Sequence, residues 1–343
     1  MDYATIAGNQ FKVSRIGLGT WPIGGWMWGG TEERIALQTI RAALDQGITL
    51  IDTAPACGFG RAEGLVGQAV AQFGEREKVI IATKVGLEWD GGRVFRNSTR
   101  ARISKEIDDS LRRLRTDYID IYQVHWPDPL VPIEETAEAM HALYSKGKIR
   151  AIGVSNYSPE QMNAFQHVAP LHTAQPPYNL FERGVERDAL PYCLVHGVSV
   201  LTYGSLCRGL LSGRMKPDTK FRGDDVRNMD PKFQPPRYAQ YLNAVRRLDR
   251  FARENYGRSV VELAVRWILD QPFVNATLWG ARDPAQLAPV AAVSGWRLDL
   301  AARKVIEEIL RESITDPVGP EFMAPPAREY SEYEETRATA SCG

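Results

Sequence analysis

The sequence predicts a single (β/α)8 TIM barrel over residues 1–312, followed by a C-terminal tail from 313 to 343. Two observations carry this expectation. Eight short runs rich in β-branched residues alternate with longer amphipathic stretches, the pattern of repeated βα units around a parallel sheet. A doubly wound sheet would want a Gly-rich phosphate loop after its first strand, and that loop is missing. Gly17-Leu18-Gly19-Thr20-Trp21-Pro22 has proline where the third glycine would stand, a residue expected to interrupt a helix rather than open one.

The eight expected strands are Arg15–Leu18, Thr49–Ile51, Val79–Ala82, Ile119–Val124, Arg150–Val154, His172–Ala174, Val198–Thr202 and Asn275–Leu278. Gly47 and Gly147 follow the helical stretches Glu33–Gln46 and Ile133–Lys146, where a left-handed residue closes a helix most cheaply. Ser158-Pro159-Glu160-Gln161 and Asp283-Pro284-Ala285-Gln286 each combine a capping residue, a first-turn proline and a glutamine three positions on. Ala4–Val13, with Gly8-Asn9 at its middle, reads as a β-hairpin plugging the barrel bottom. Between the seventh strand and its helix the sequence has room for an inserted loop, Gly204–Arg237, and an extra helix, Tyr238–Tyr256, before the regular helix from Ser259. The tail from Ser313 is rich in Pro and Glu and reads as loosely ordered.

Of the 343 residues, 44% are hydrophobic and 24% charged, with 42 Lys+Arg against 42 Asp+Glu. Zero formal charge removes the electrostatic footprint of nucleic-acid binding, and the apolar runs fall short of the ~20 residues of a bilayer span. Neither nucleic acid nor membrane is an expected partner. The start lacks a basic region and a long apolar stretch, which points to a cytoplasmic protein. Cys57, Cys193, Cys207 and Cys342 are too scattered for a zinc or redox pair, so no metal is expected.

In a barrel of this kind the chemistry sits at the C-terminal ends of the strands. There the sequence places Asp52, Lys84, His125, Asn156, Gln175 and Tyr203, with Gly280 after the last strand. Each alone could be a solvated loop residue. Six in succession with complementary chemistry describe a site.

The runs GLGTW, IDTAPACGFGRAEGLVG, IATK, YQVHWPD, IGVSNY, AQPPYNL and YGSLCRGLLSG, spread in order over the first seven strands, resemble the aldo-keto reductase superfamily from about residue 3 to 300. The resemblance implies an oxidoreductase that reversibly reduces an aldehyde or ketone to an alcohol with a nicotinamide cofactor, NADP(H), bound across the barrel top. It places the family's catalytic aspartate, lysine and histidine on Asp52, Lys84 and His125. The catalytic tyrosine would fall on Cys57.

A carbonyl that receives hydride needs a proton donor at its oxygen, a contribution of about 10²- to 10⁴-fold. Lys84 beside Asp52 would lower a phenol from about 10 toward neutrality. A cysteine is shorter than a phenol, and a thiol of pKa about 8.5 next to lysine is expected to become a thiolate, which cannot donate. Cys57 is therefore an engineered knock-out, a natural loss, or a variant in which His125 or a water supplies the proton. As a plain residue it reads as a small apolar filler; as a nucleophile it lacks a neighbouring histidine.

Gly280-Ala281-Arg282 ahead of Asp283 to Gln286 brings a helix start and a guanidinium together, a means of holding the adenosine 2′-phosphate. By resemblance Arg282 and Gln286 hold that phosphate, Tyr203 stacks on the nicotinamide, and Ser155, Asn156 and Gln175 hold its carboxamide. Gly204, Ser205, Leu206, Arg208, Gly209, Leu211 and Arg214 would wrap the pyrophosphate, with Arg208 or Arg214 as its positive partner. Gly19, Thr20, Trp21 and Asp52 complete the expected cofactor contacts. Trp21, Trp26, Trp28, Trp89 and Trp126 suggest an aromatic substrate wall, of which Trp21, Trp28, Trp89 and Trp126 are the expected substrate contacts. Two other readings stay open: a catalytically weak NADP(H)-binding module for redox sensing or regulation, and a cofactor-independent hydrolase using Cys57 or Asp52, for which no GxSxG or metal-ligand motif speaks.

Overall fold

The computed structural model describes residues 1–328 except Gln10 and Thr31, so Cys342 and the end of the tail lie outside the described residues. A hairpin of β1 (Tyr3–Thr5) and β2 (Lys12–Ser14) leads into β3 (Ile16–Gly19), β4 (Leu50–Asp52) and β5 (Ile80–Val85). A second hairpin, β6 (Leu87–Asp90) and β7 (Arg93–Arg96), precedes β8 (Ile121–Val124), β9 (Ile152–Ser155), β10 (Thr173–Gln175), β11 (Ser199–Thr202) and β12 (Val274–Gly280). Strands β3, β4, β5, β8, β9, β10, β11 and β12 close in that order into a parallel barrel, the (β/α)8 architecture. All eight sequence-expected strands are present.

Period-two alternation separates the layers. Leu50, Ile80, Ala82 and Ile121 cluster inside the barrel with Ile6, Phe11 and Val13 of the first hairpin, which plugs the bottom. Ile51, Ile81, Tyr122 and Val124, at the alternate positions of the same strands, join the outer core against the helices. Plugging one end with apolar side chains leaves the other end, the strand C-termini, as the polar mouth.

The helices are α1 (Trp21–Gly24), α2 (Glu33–Asp45), α3 (Arg61–Phe73), α4 (Arg100–Leu114), α5 (Ile133–Ser145), α6 (Pro159–Gln166), α7 (Ala189–Val195), α8 (Arg237–Tyr256), α9 (Val260–Leu269) and α10 (Leu300–Ser313). Ser158 forms the expected capping box with Gln161, and Ser259 forms one with Glu262. Gly47 and Gly147 adopt φ of 81° and 74°, as the helix ends require.

Four local expectations are corrected. Pro22 does not prevent a helix: it lies in the first turn of α1, where its missing N–H would have had no partner. Asp283 opens a 3-10 helix, Pro284–Val293, rather than an α-helix, because Pro289 removes a donor and crowds an α-turn. The glutamine of that motif turns back to Arg282, whose N–H donates to Gln286 Oε1 at 3.0 Å, instead of closing a capping box. Finally, the tail is docked as far as Arg328. Arg96 donates from its backbone to Pro326 O at 3.0 Å and from Nε to Pro325 O at 2.8 Å, and Arg328 pairs with Asp128 at 3.1 Å. Pro-rich composition does not reveal such docking, because the prolines contribute carbonyls to a partner far away in sequence.

Near the bottom, His172 Nδ1 accepts the Ile152 N–H at 3.0 Å, and its ring packs on Tyr144. That bond requires an unprotonated Nδ1, and burial holds the imidazole below its ordinary range. A histidine with a depressed folded pKa contributes stability above its unfolded pKa and loses it as pH falls through the folded value. Urea midpoints are expected to drop from about pH 6.5 downward, with a shallower drop in a His172→Gln variant, which keeps an acceptor that does not titrate. Identical slopes in both proteins would contradict this.

Candidate active site

The mouth holds a cavity of about 620 Å³ built from strand ends and their loops. Asp52 ends β4, and Lys84 stands near the end of the neighbouring β5. Strand alternation turns both inward, 6% and 5% exposed. Lys84 Nζ donates to Asp52 Oδ1 at 2.6 Å and to Thr53 O at 3.0 Å, while Gln175 Nε2 donates to Asp52 Oδ2 at 2.7 Å. Strand β10, which carries Gln175, lies opposite β4 in the ring, so this bond spans the mouth. Gln175 is therefore engaged with the carboxylate rather than free for a carboxamide.

His125 follows β8 and lines the same cavity. Burial, with Lys84 nearby, holds its pKa well below the ordinary histidine value, so the ring is neutral. Cys57 sits in the turn after β4, 8% exposed, against Ala54, Ala62 and Trp21. That turn is pinned to α1 backbone to backbone. A Cβ on Gly24 would lie 2.4 Å from Cys57 O, and one on Gly58 would lie 2.2 Å from Gly24 O, so both places demand glycine. The expected thiolate does not form: burial pushes the Cys57 thiol up to about 12, outweighing the lowering by Lys84. Position 57 holds a neutral thiol.

A polar shelf lies beside these groups. Tyr203 OH donates to Asn156 Oδ1 at 2.9 Å, Asn156 Nδ2 donates to His125 O and to Ser155 Oγ, each at 3.0 Å, and Ser155 Oγ donates to Gln175 O at 2.8 Å. Asn156 takes φ of 62°, a left-handed conformation that asparagine tolerates better than most residues. Gly19, Thr20 and Trp21 form the opposite side, with Thr20 Oγ1 donating to Asp52 O at 2.9 Å.

Gly204, Ser205, Leu206, Arg208, Gly209 and Arg214 line the cavity, and so do Gly280, Arg282 and Gln286. Leu211 and Ala281 do not: they are 0% and 1% exposed and pack in the outer core, because the loop turns them under rather than over the groove. Arg208 is not a free cation for a pyrophosphate, since its guanidinium is bound to Glu182 and Asp230. Arg214 keeps that possibility. Arg282 Nη1 donates to Trp28 O at 2.7 Å. The inserted loop crosses to the loop after β3, where Met27 N donates to Asp224 Oδ2 at 2.8 Å and Val226 N to Met27 O at 2.9 Å.

Trp21, Trp26, Trp28 and Trp126 line the cavity, with Trp21 and Trp28 edge to face at 5.6 Å. Trp89 does not. The second hairpin sets it behind that wall, in one cluster with Trp26 and Trp126, on Phe59 at 5.6 Å and under the Arg102 guanidinium at 5.4 Å. Sequence reading missed that hairpin, although Asp90-Gly91-Gly92-Arg93 with both glycines at positive φ is a turn signal. It also missed the Phe322–Pro326 wall of the cavity, for which composition gave no signal.

The sequence model of the Aldo/keto reductase family matches residues 15–311. Among curated relatives, "Aldo-keto reductase YhdN" of Bacillus subtilis is 61% identical over 329 residues, covering 96% of this chain and 99% of that protein. The "NADH-specific methylglyoxal reductase" of Escherichia coli is 35% identical, covering 88% and 96%. Among solved structures, glycerol dehydrogenase AKR11B4 from Gluconobacter oxydans superposes with a TM-score of 0.86 at 52% identity, covering 94% of this chain and 99% of that one. With a matching family model, matching relatives and the same barrel, the chain belongs to the aldo/keto reductase family of oxidoreductases.

Proposed function

We propose that this protein binds NADP(H) across the barrel mouth and reversibly reduces an aldehyde or ketone to an alcohol. The observation that carries the reading is the convergence of Asp52, Lys84 and neutral His125 on one cavity that continues past Tyr203 to Arg282. The residues fit a dinucleotide. An aromatic face and a row of amide and hydroxyl groups stand at one end, and arginines with a glutamine stand at the other. When bound, the nicotinamide supplies hydride. Tyr203, Ser155 and Asn156 would hold its ring, Arg214 the pyrophosphate, and Arg282 with Gln286 the 2′-phosphate.

The chain's own groups do the rest. His125, neutral because its surroundings disfavour the cation, presents a ring nitrogen that hydrogen-bonds and orients the substrate oxygen. Lys84 fixes the electrostatic field at the same oxygen while Asp52 balances its charge. The substrate side is walled by Trp21, Trp26, Trp28, Trp126 and residues 322–326, which exclude water and favour a neutral substrate of largely apolar surface.

Dinucleotide choice has a direct test. Arg282→Met is expected to weaken NADPH about tenfold or more while changing NADH little, since a charge-assisted bond is worth about 1.5–3 kcal/mol. Fluorescence titration of both cofactors reads it, and equal weakening would remove the assignment of the 2′-phosphate to Arg282.

Cys57 favours one second reading, a weakly catalytic NADP(H)-binding module with a sensing or regulatory task. Steady-state assays on a carbonyl panel separate the two. Tight dinucleotide binding without turnover, in both the Cys57 chain and a Cys57→Tyr variant, would select the module.

A further inference from the structure

Beside the mouth lies a cluster of four buried charges: Glu182, Arg208, Asp230 and Lys232 are each 6% exposed or less. Arg208 Nε bonds Asp230 Oδ2 at 2.6 Å and its Nη2 bonds Glu182. Lys232 Nζ lies 2.8 Å from Glu182 Oε1 and 3.4 Å from Asp230 Oδ1. Two cations face two anions, so the cluster is neutral as a whole. Desolvating each ion is costly, and an apolar core of the same volume is often at least as stable. Stability alone therefore does not account for it, and its connections offer another account.

On one side the cluster is part of the cofactor groove. Arg208 belongs to the cavity-lining loop after β11, which turns through left-handed conformations at Cys207, Arg208 and Gly209. Asn179 Nδ2 donates both to Glu182 Oε2 at 2.7 Å and to Gly204 O at 2.9 Å, tying the cluster to the start of the same loop. On the other side it holds the tail. Lys232 Nζ donates to Gly319 O at 3.0 Å, Arg208 and Lys232 stand 5.5 Å and 6.0 Å from the Phe322 ring centre, and Arg208 Nη1 reaches Met323 Sδ at 3.8 Å. Phe322 and Met323 begin the wall that closes the substrate side.

We infer that Arg208 and Lys232 are positioning residues that couple occupancy of the dinucleotide groove to the seating of the 319–326 wall. Any shift of the Gly204–Gly213 loop around a ligand moves a guanidinium whose partners are the anions that also hold Lys232, and Lys232 holds the wall. The inference rests on the dinucleotide reading above and adds to it an order: the substrate wall is set by the cofactor loop.

Hydrogen exchange on the full chain, paired with NADPH fluorescence titration, tests it. The Met323 and Ala324 amides, which donate within the tail to Pro320 O and Glu321 O, are the reporters. Saturating NADPH is expected to slow their exchange about tenfold, inside the 5- to 150-fold range usual for coupled sites. In Lys232→Met, NADPH still binds and the slowing disappears. Should Lys232→Met fail to fold, Phe322→Ala, which strands no charge, is read the same way. Bound NADPH with unchanged exchange in the unaltered chain overturns the inference, as does full slowing in a folded, binding variant. Absence of NADPH binding by the unaltered chain instead overturns the dinucleotide reading itself.

Discussion

Cys57→Tyr is expected to raise the rate of carbonyl reduction at least about tenfold with dinucleotide affinity unchanged, a threshold set below the 10²- to 10⁴-fold that a fully effective general acid contributes. The geometry supplies both halves. Cys57 borders a cavity of about 620 Å³, so a phenol at this position has open volume ahead of it. Lys84 also borders that cavity and is 2.6 Å from Asp52, so a phenol long enough to reach beyond the turn that buries the thiol would meet a held cation whose field opposes the desolvation dominant at Cys57. The native thiol is deficient for two reasons, and charge is not one of them. It is short, and burial keeps its pKa near 12, above the ordinary phenol value rather than below it. A thiol so held binds its proton too tightly to be a good acid near neutral pH. Affinity should not move, because the shelf of Ser155, Asn156 and Tyr203 makes no hydrogen bond to residue 57. Steady-state rates on a carbonyl panel, with NADPH titration of both proteins, decide the matter. Equal rates would mean that the thiol, the imidazole or solvent already supplies the proton.

The barrel was legible because its signal is repeated: eight runs with alternating faces, six of them in succession leading into a polar residue, leave little freedom in topology. Asp52, Lys84 and His125 were legible for the same reason, since strand periodicity fixes which face each occupies. What failed depended on contacts distant in sequence. Leu211 and Ala281 were expected in the groove because their neighbours are there, yet a single loop residue turned inward leaves no trace in spacing. Arg208 looked like a free cation because Glu182, 26 positions away, and Asp230, 22 positions away, meet it only in the fold. Gln175 was expected to be available, but its partner Asp52 lies 123 positions away across the mouth. The sign of the Cys57 shift was misread by weighing a neighbouring lysine, visible in the motif, without the burial, which is visible only in three dimensions.

Lys84→Met is expected to destabilise the fold by about 3–5 kcal/mol and to reduce turnover at least about 100-fold, even in a Cys57→Tyr background. The lysine is 5% exposed and its ammonium meets a carboxylate that is 6% exposed; removing it strands a buried negative charge with, among the described residues, only the Gln175 amide as side-chain donor. Denaturant unfolding measures the first effect and steady-state kinetics the second. Stability and chemistry are separable here by a second substitution. Adding Asp52→Asn removes the stranded charge while keeping the side-chain shape, so the double variant should recover much of the lost stability, a non-additivity expected of residues in contact. It should recover none of the activity if the ammonium acts on the reacting oxygen; recovered activity would reduce Lys84 to a structural role. The pH profile gives an independent reading. Lys84 is the second cause, after burial, of the depressed His125 pKa. Without it the imidazole protonates at higher pH, and the acidic limb of kcat/KM, measured on whatever activity remains, should move upward. A limb that stays in place would show that His125 does not titrate in the step observed.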